Sequence, residues 1–231
     1  TTRFGNNATP VTPESCTNYP HYNITFENDS YKVFINSNEP DSDRNVREDI
    51  KSVIANHEQY DLILTTDKEI LRNCSNAVLF PYGTTWLNKG HIDHSDGLGI
   101  YDDSLDELCN NKKFELSFLM TQHCTENVYG YAVRQQLWIH QELITIPKLF
   151  YNSYLCGLPE GVFSRMGLED AEKNVKTILP QGDKTLLFNS QFHIAIESHI
   201  IENYFTEKLI DALITKTVPI YCGCPNIGEF F

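Results

Sequence analysis

The sequence predicts an α/β fold made of two lobes in series, each with a parallel sheet. In a chain of 231 residues, apolar strand-like runs alternate with helical patterns, and a stretch rich in Gly, Asp and His at 91–103 separates two such series. Alternating strands and helices imply parallel pairing through helical crossovers. We therefore expect one lobe over residues 1–100, a second over 101–231, and a ligand cleft at the carboxyl ends of the strands.

The first lobe is expected to begin with an irregular arm, because residues 1–22 are polar and contain three prolines. Short apolar runs and helical spacing then alternate along the chain. The predicted strands are 31–35, 61–65 and 77–80, and the predicted helices are 46–57 and 68–73.

The second lobe repeats this alternation, apart from the polar stretch 157–182, which carries no clear pattern beyond a short helix near 169–175. Pro147 is expected to end the helical pattern that begins at residue 131. The predicted strands are 114–120, 148–151, 192–197 and 218–221, and the predicted helices are 131–142 and 206–216.

Composition excludes several classes of function. A hydrophobic share of 41% is typical of a globular protein. The formal net charge of −13 argues against nucleic-acid binding, because that needs a positively charged surface. No apolar run reaches the roughly 20 residues of a spanning helix, and the first residues do not resemble a secretory signal. We therefore expect a soluble protein without a membrane span. A small phosphorylated ligand needs only one or two well-placed cations, so it remains compatible with this charge.

The seven cysteines are scattered and odd in number, and we interpret most of them as buried thiols in a reducing compartment. A cytoplasmic location is favoured on this argument. Four Asn-x-Ser/Thr patterns leave the Golgi lumen open for a clipped chain.

The segment from 192 to 231 carries the chemistry. A predicted strand ends at Glu197 and Ser198, and a helix opens near Thr206 with Glu207 and Lys208 in its first turn. Helix N-termini favour phosphate, a lysine adds a full charge, and a carboxylate suits the hydroxyls of a ribose. The alternative is an ordinary capped surface helix.

The order of residues in this segment is that of a known signature. Positions 192–198 read Phe-His-Ile-Ala-Ile-Glu-Ser, 204–213 read Tyr-Phe-Thr-Glu-Lys-Leu-Ile-Asp-Ala-Leu, and 218–223 read Val-Pro-Ile-Tyr-Cys-Gly, followed by Pro-Asn at 225–226. This order resembles the donor-binding signature of the α1,3/4-fucosyltransferases, glycosyltransferase family 10. The match runs over about 35 positions without a gap, and we expect a soluble relative of the viral or bacterial type.

The resemblance implies a GT-B-like fold, with two Rossmann-like lobes and a cleft between them. It also implies roles for individual residues: Lys208 on the donor diphosphate, Glu207 on the ribose, and Tyr204 and Thr206 in the same pocket. Glu197 and Ser198 fall where the family has Glu and Asn, so one nucleotide hydrogen bond is in doubt. Arg134, on the helix after the first strand of the second lobe, fits the family arginine that pairs with the phosphates, and its fork geometry suits a diphosphate.

In the first lobe the resemblance is weaker, and it implies a catalytic carboxylate just after an early strand. Glu39 follows such a strand and is our candidate general base, with a solvated loop residue as the alternative. Asp41 and Asp43 are expected to cap a helix rather than bind metal. The cluster His91, His94 and Asp96 is expected to be a polar connection, with a divalent-cation site or an acceptor contact as the alternatives.

Taken together, the sequence predicts an inverting glycosyltransferase that moves fucose from GDP-fucose to a hydroxyl of a glycan or glycoprotein acceptor. No cofactor or metal is expected, because cations of the protein would stabilise the departing diphosphate. Another donor, such as UDP-xylose, is the first alternative, and a non-catalytic nucleotide- or glycan-binding module is the second. Two-lobed glycosyltransferases usually continue past this signature, so we expect the second lobe to be truncated at Phe231.

Overall fold

The computed structural model describes residues 23–28, 31–36, 44–81, 83, 85, 87, 103–120, 129–152, 179 and 184–231. The chain divides into two units, Thr1–Tyr82 and Gly83–Phe231. The predicted division near residue 100 lies outside the described residues and stays a prediction.

The sheet of the first unit has four strands in the order β1-β2-β3-β4. The strands are β1 (Asn23–Asn28), β2 (Tyr31–Asn36), β3 (Leu62–Thr65) and β4 (Ala77–Leu79). The pair β1–β2 is antiparallel, whereas β2–β3 and β3–β4 are parallel, as helical crossovers require.

Two helices of the first unit supply these crossovers, α1 (Arg44–Ala55) and α2 (Lys68–Asn73). The start of α2 is fixed by Asp67, whose carboxylate accepts hydrogen bonds from the backbone amides of Glu69 and Ile70 at 2.8 and 3.0 Å. The core of the unit is a buried cluster formed by both helices and the sheet: Phe34, Ile50, Val53, Ile63, Ile70 and Cys74.

The sheet of the second unit has four parallel strands in the order β6-β5-β7-β8. The strands are β5 (Lys113–Met120), β6 (Lys148–Asn152), β7 (Ser190–Ile196) and β8 (Val218–Cys222), and the helices are α3 (Asp103–Asn110), α4 (Tyr129–Ile139) and α5 (Glu207–Ile214). Short 3₁₀ helices lie at Lys184–Asn189 and Ile227–Glu229.

The central strands β5 and β7 are buried on both faces. On one face of this sheet, the buried apolar side chains pack against Trp138 of α4. On the other face Ser117 lies 2.8 Å from Nδ1 of His193, whose ring is buried and packs on Phe188. Burial, with the positive charge of Lys184, lowers the pKa of His193 to about 3, so this ring stays neutral in the folded protein.

The predicted α/β class with parallel sheets is confirmed in both units, and each predicted strand and helix among the described residues lies within a few residues of its predicted ends. The helix α3 was not predicted, and the predicted short helix near 169–175 lies outside the described residues. One strand was missed: β1 pairs antiparallel with β2, whereas only parallel pairing was expected. The described cysteines, Cys74, Cys109, Cys222 and Cys224, are free thiols, and Cys222 is the only one of these four that is not buried. The predicted cleft between lobes stays a prediction.

Candidate functional site

The strand order of the second unit places a topological switch point beside β5. The chain leaves β5 for β6 on one side and later returns to β7 on the other. In open parallel sheets such a point opens a crevice at the carboxyl ends of the strands. Glu197 and Ser198 directly follow β7 at this edge, and both are buried. The switch point is therefore where a ligand of this unit is expected.

Glu197 connects the end of β7 to the start of α5. Its side chain is 0% exposed, and its two carboxylate oxygens accept from the backbone amide of Thr206 at 2.8 Å and from the Thr206 hydroxyl at 2.7 Å. Burial raises the pKa of Glu197 above its usual value, and Lys208 and the two Thr206 bonds offset this only in part. Such a carboxylate holds the first residues of α5 against the sheet edge.

The N-terminus of α5 has the geometry expected of an anion site. Thr206 is the N-cap, and its hydroxyl accepts from the amide of Lys208 at 3.4 Å. Glu207 and Lys208 occupy the first turn, as predicted. The Lys208 ammonium lies 3.0 Å from the Thr206 hydroxyl, so the positive end of the helix dipole and a full positive charge lie close together.

Two lysines surround Glu207. Its Oε1 atom lies 3.3 Å from the ammonium of Lys208 and 3.4 Å from that of Lys184, and all three side chains are largely buried. Burial raises the pKa of Glu207, but both lysines, with hydrogen bonds from Thr206 and Lys208, outweigh it and lower the pKa to about 2. Glu207 is therefore ionised throughout the neutral range.

The loop before α5 is also fixed. Asn203 has φ 66, a backbone conformation that Asn tolerates better than most residues. Its amide donates to the side chain of Asn226 at 2.8 Å, and the Asn226 side chain donates back to that of Asn203 at 2.9 Å. Tyr204, next along the loop, is 2% exposed. The Pro-Asn of the signature thus has a structural role, because Asn226 holds the segment that leads into the helix.

Arg134 lies on α4 near the same sheet edge. Its guanidinium is buried, donates through Nε and Nη2 to the carbonyl oxygen of Ile196, and packs over the ring of Tyr131. Arg134 is thus anchored to the last residue of β7. Its predicted contact with phosphate stays a prediction.

The remaining predicted candidates lie outside the described residues. They include the candidate base Glu39, the pair Asp41 and Asp43, and the cluster His91, His94 and Asp96. Among the residues that the structure does describe, no three His, Cys, Asp or Glu side chains are grouped to hold a metal ion. Nor does this part of the chain contain a helix that is long and apolar enough to cross a membrane.

Sequence reasoning did not predict the contacts that Lys184, Gly130 and Gly223 make in the site. Lys184 is 23 positions from Glu207, in a stretch without periodicity, so no local pattern could pair them. A Cβ on Gly130 would lie 1.9 Å from the carbonyl oxygen of Glu197, and one on Gly223 would lie 2.5 Å from Cγ of Glu197. Glycine at a strand end or a helix start signals such close approach in general, but not its partner.

Fold and site define the second unit as an α/β unit whose switch point carries a helix start with Glu207 and Lys208 in its first turn. Residues 170–229 match the family model described as Glycosyltransferase family 10 (fucosyltransferase) C-term. The resemblance predicted from the motifs is confirmed for this segment, which contains Glu197 and the start of α5. The chain is fucosyltransferase-like there.

Solved α1,3-fucosyltransferase structures are similar to this chain at low identity. A crystal structure with GDP-fucose is 17% identical, with 85% of this chain and 54% of that chain covered and a TM-score of 0.46. A crystal structure with GDP is also 17% identical, with 74% and 49% covered and a TM-score of 0.42. The chain thus spans about half the length of these structures. No curated protein sequence matches it significantly.

Proposed function

We propose that the chain is the nucleotide-sugar-binding part of an inverting glycosyltransferase that transfers fucose from GDP-fucose to a hydroxyl of a glycan acceptor. The observation that carries this proposal is the start of α5. There Thr206, Glu207 and Lys208 meet at a parallel-sheet switch point, within the segment that matches the fucosyltransferase family. The similar α1,3-fucosyltransferase structures contain GDP-fucose or GDP, which makes GDP-fucose the first donor to test.

In this proposal the departing GDP is stabilised by the protein's own charges. The positive end of the α5 dipole and the ammonium of Lys208 would stabilise the growing negative charge on the diphosphate. Arg134 would approach the same group from α4, and Glu207 would accept hydrogen bonds from the ribose. Lys208, Arg134 and the helix dipole would supply positive charge to the diphosphate, so we propose that neither a metal ion nor a cofactor is needed.

The acceptor hydroxyl needs a base, and Glu39 is proposed for this role. As the acceptor oxygen attacks the anomeric carbon, the proton passes to the Glu39 carboxylate while the bond to the diphosphate breaks on the opposite face of the sugar. That course inverts the anomeric centre. A well-placed base contributes about 10²–10⁴-fold to the rate.

A donor panel tests the reaction. GDP-fucose, GDP-mannose and UDP-xylose are incubated with the chain and glycan acceptors, and the released nucleotide and the extended glycan are measured together. We expect release from GDP-fucose alone, and a loss of transfer by about 10²-fold or more in Glu39→Gln with GDP binding retained. Release from UDP-xylose alone would contradict the proposed donor. Transfer that is unchanged in Glu39→Gln would contradict the proposed base.

A further inference from the structure

Glu197 is the most completely enclosed charged group of the site. Both of its carboxylate oxygens are engaged by one residue, since Thr206 donates its amide to Oε1 and its hydroxyl to Oε2. The ammonium of Lys208 lies 3.7 Å from Oε2. With 0% of the side chain exposed, these contacts leave no carboxylate surface for a ligand. Glu197 therefore acts on the site through its neighbours.

The surrounding backbone is shaped to accommodate this residue. The amide of Glu197 donates to the carbonyl of Cys222 at 2.9 Å, which ties the residue to the neighbouring strand. Gly130 and Gly223 pass so close to Glu197 that a Cβ on either would overlap it. Enclosing a carboxylate costs free energy unless it is paired and hydrogen-bonded, and here both conditions are met.

Lys208 is shared between carboxylates. Its ammonium lies 3.3 Å from Glu207 and 3.7 Å from Glu197, and 25% of its side chain is exposed. Together with Lys184, the four groups carry two positive and two negative charges when ionised, a sum of zero. A diphosphate adds at least two negative charges, so it must compete with these carboxylates for the lysine.

We propose that Glu197 is a positioning residue of the nucleotide site, whose carboxylate fixes the start of α5 through Thr206 and competes with the donor diphosphate for Lys208. This inference rests on the proposed function, because it takes a nucleoside diphosphate as the ligand. The two roles of Glu197 act on affinity in opposite directions. Its hydrogen bonds organise the site, and its charge weakens the hold of Lys208 on phosphate.

Two substitutions separate the roles. Glu197→Gln removes the charge but keeps groups that can bond the amide and hydroxyl of Thr206, whereas Glu197→Ala removes both. Binding of GDP is measured by calorimetry and binding of guanosine by ligand-observed NMR, with thermal unfolding as a check of folding. The matched control is Glu107→Gln, the same change at an exposed position of α3.

We expect Glu197→Gln to bind GDP about three- to fivefold more tightly, because removing a partly exposed ion pair changes an affinity by about that factor. The affinity for guanosine should change less than twofold. Glu197→Ala should weaken GDP binding about tenfold or more, and Glu107→Gln should match the wild type. If Glu197→Ala does not fold, the Glu197→Gln comparison decides alone.

Weaker or unchanged GDP binding by Glu197→Gln would overturn the inference, as would an equal change for guanosine. In these cases the wild type still binds GDP, and the proposed function stands. A wild type that binds no GDP would overturn the proposed function and this inference together.

Discussion

At the scale of single residues, the site depends on the absence of side chains as much as on charged groups. The amide of Gly130 donates to the carbonyl of Ser198 at 3.1 Å, which brings α4 against the end of β7. No side chain fits into this contact, because the nearest atoms are the backbone carbonyl groups of Glu197 and Ser198. Backbone cannot move aside as the end of a flexible side chain can.

Gly130→Ala should therefore destabilise the protein. The added methyl group forces α4 away from β7, and overpacking of this kind costs about 1–3 kcal/mol. Urea unfolding measures the loss, and Gly228→Ala is the matched control, because a Cβ there meets nothing within 4 Å. Equal unfolding free energies for the two variants would show that α4 does not pack on β7 as described.

The residue scale also shows where sequence reasoning ends. Glu207 and Lys208 could be placed in the first turn because apolar spacing and helix capping are local signals. Asp211 could not be predicted as buried, since its partner Thr85 donates to it at 2.7 Å from 126 positions away. Ile214 follows the apolar spacing of this helix and is nevertheless 36% exposed.

At the scale of elements, α5 depends on its N-cap. Thr206 accepts from the amide of Lys208 and donates to Glu197, so one hydroxyl serves both the helix and the sheet edge. The same hydroxyl receives a hydrogen bond from the ammonium of Lys208. Its loss should affect stability and ligand binding together.

Thr206→Ala should lower the unfolding free energy by about 0.5–2 kcal/mol, the range for loss of an N-cap side chain. Thr206→Ser keeps the hydroxyl and should restore most of the loss. Thermal and urea unfolding check both values. Equal unfolding free energies for the Ser and Ala variants would mean that the methyl group of Thr206, and not its capping hydroxyl, stabilises the protein.

The pairing of β5 with β7 contains a neutral histidine, which predicts a dependence of stability on pH. The pKa of His193 is about 3 in the folded protein and 6.5 in the unfolded chain. Between these values only the unfolded chain binds the proton, so stability falls as the pH decreases from about 6.5 towards 3. The slope from this residue is up to about 1.4 kcal/mol per pH unit.

His193→Asn keeps a polar group next to Ser117 and removes the titration. Its unfolding free energy should therefore fall less steeply than that of the wild type between pH 6.5 and 5, where most carboxylates are still ionised. Urea unfolding at several pH values in this range makes the comparison. Parallel curves for the two proteins would mean that His193 is protonated in the folded state.

At the scale of the whole molecule, the α/β class and most elements followed from the sequence because alternating strands and helices are strong periodic signals. The strand β1 did not, since its position depends on antiparallel pairing with β2 rather than on its own short pattern. The site shows the same difference between local signals and contacts that depend on the fold. The helix start was visible in the sequence, whereas the pairing of Glu207 with Lys184 and of Glu197 with Thr206 depends on the folded topology.

The central claim is that the start of α5 binds the diphosphate of a nucleotide. Calorimetric titration of GDP into the wild type, Lys208→Ala and Lys51→Ala tests it most directly, because Lys51 is an exposed lysine on α1 of the first unit. We predict that the wild type and Lys51→Ala bind GDP equally, and that Lys208→Ala binds it at least about tenfold more weakly, as loss of a charge-assisted contact implies. Equal GDP binding by all three proteins, or none by the wild type, would contradict the account.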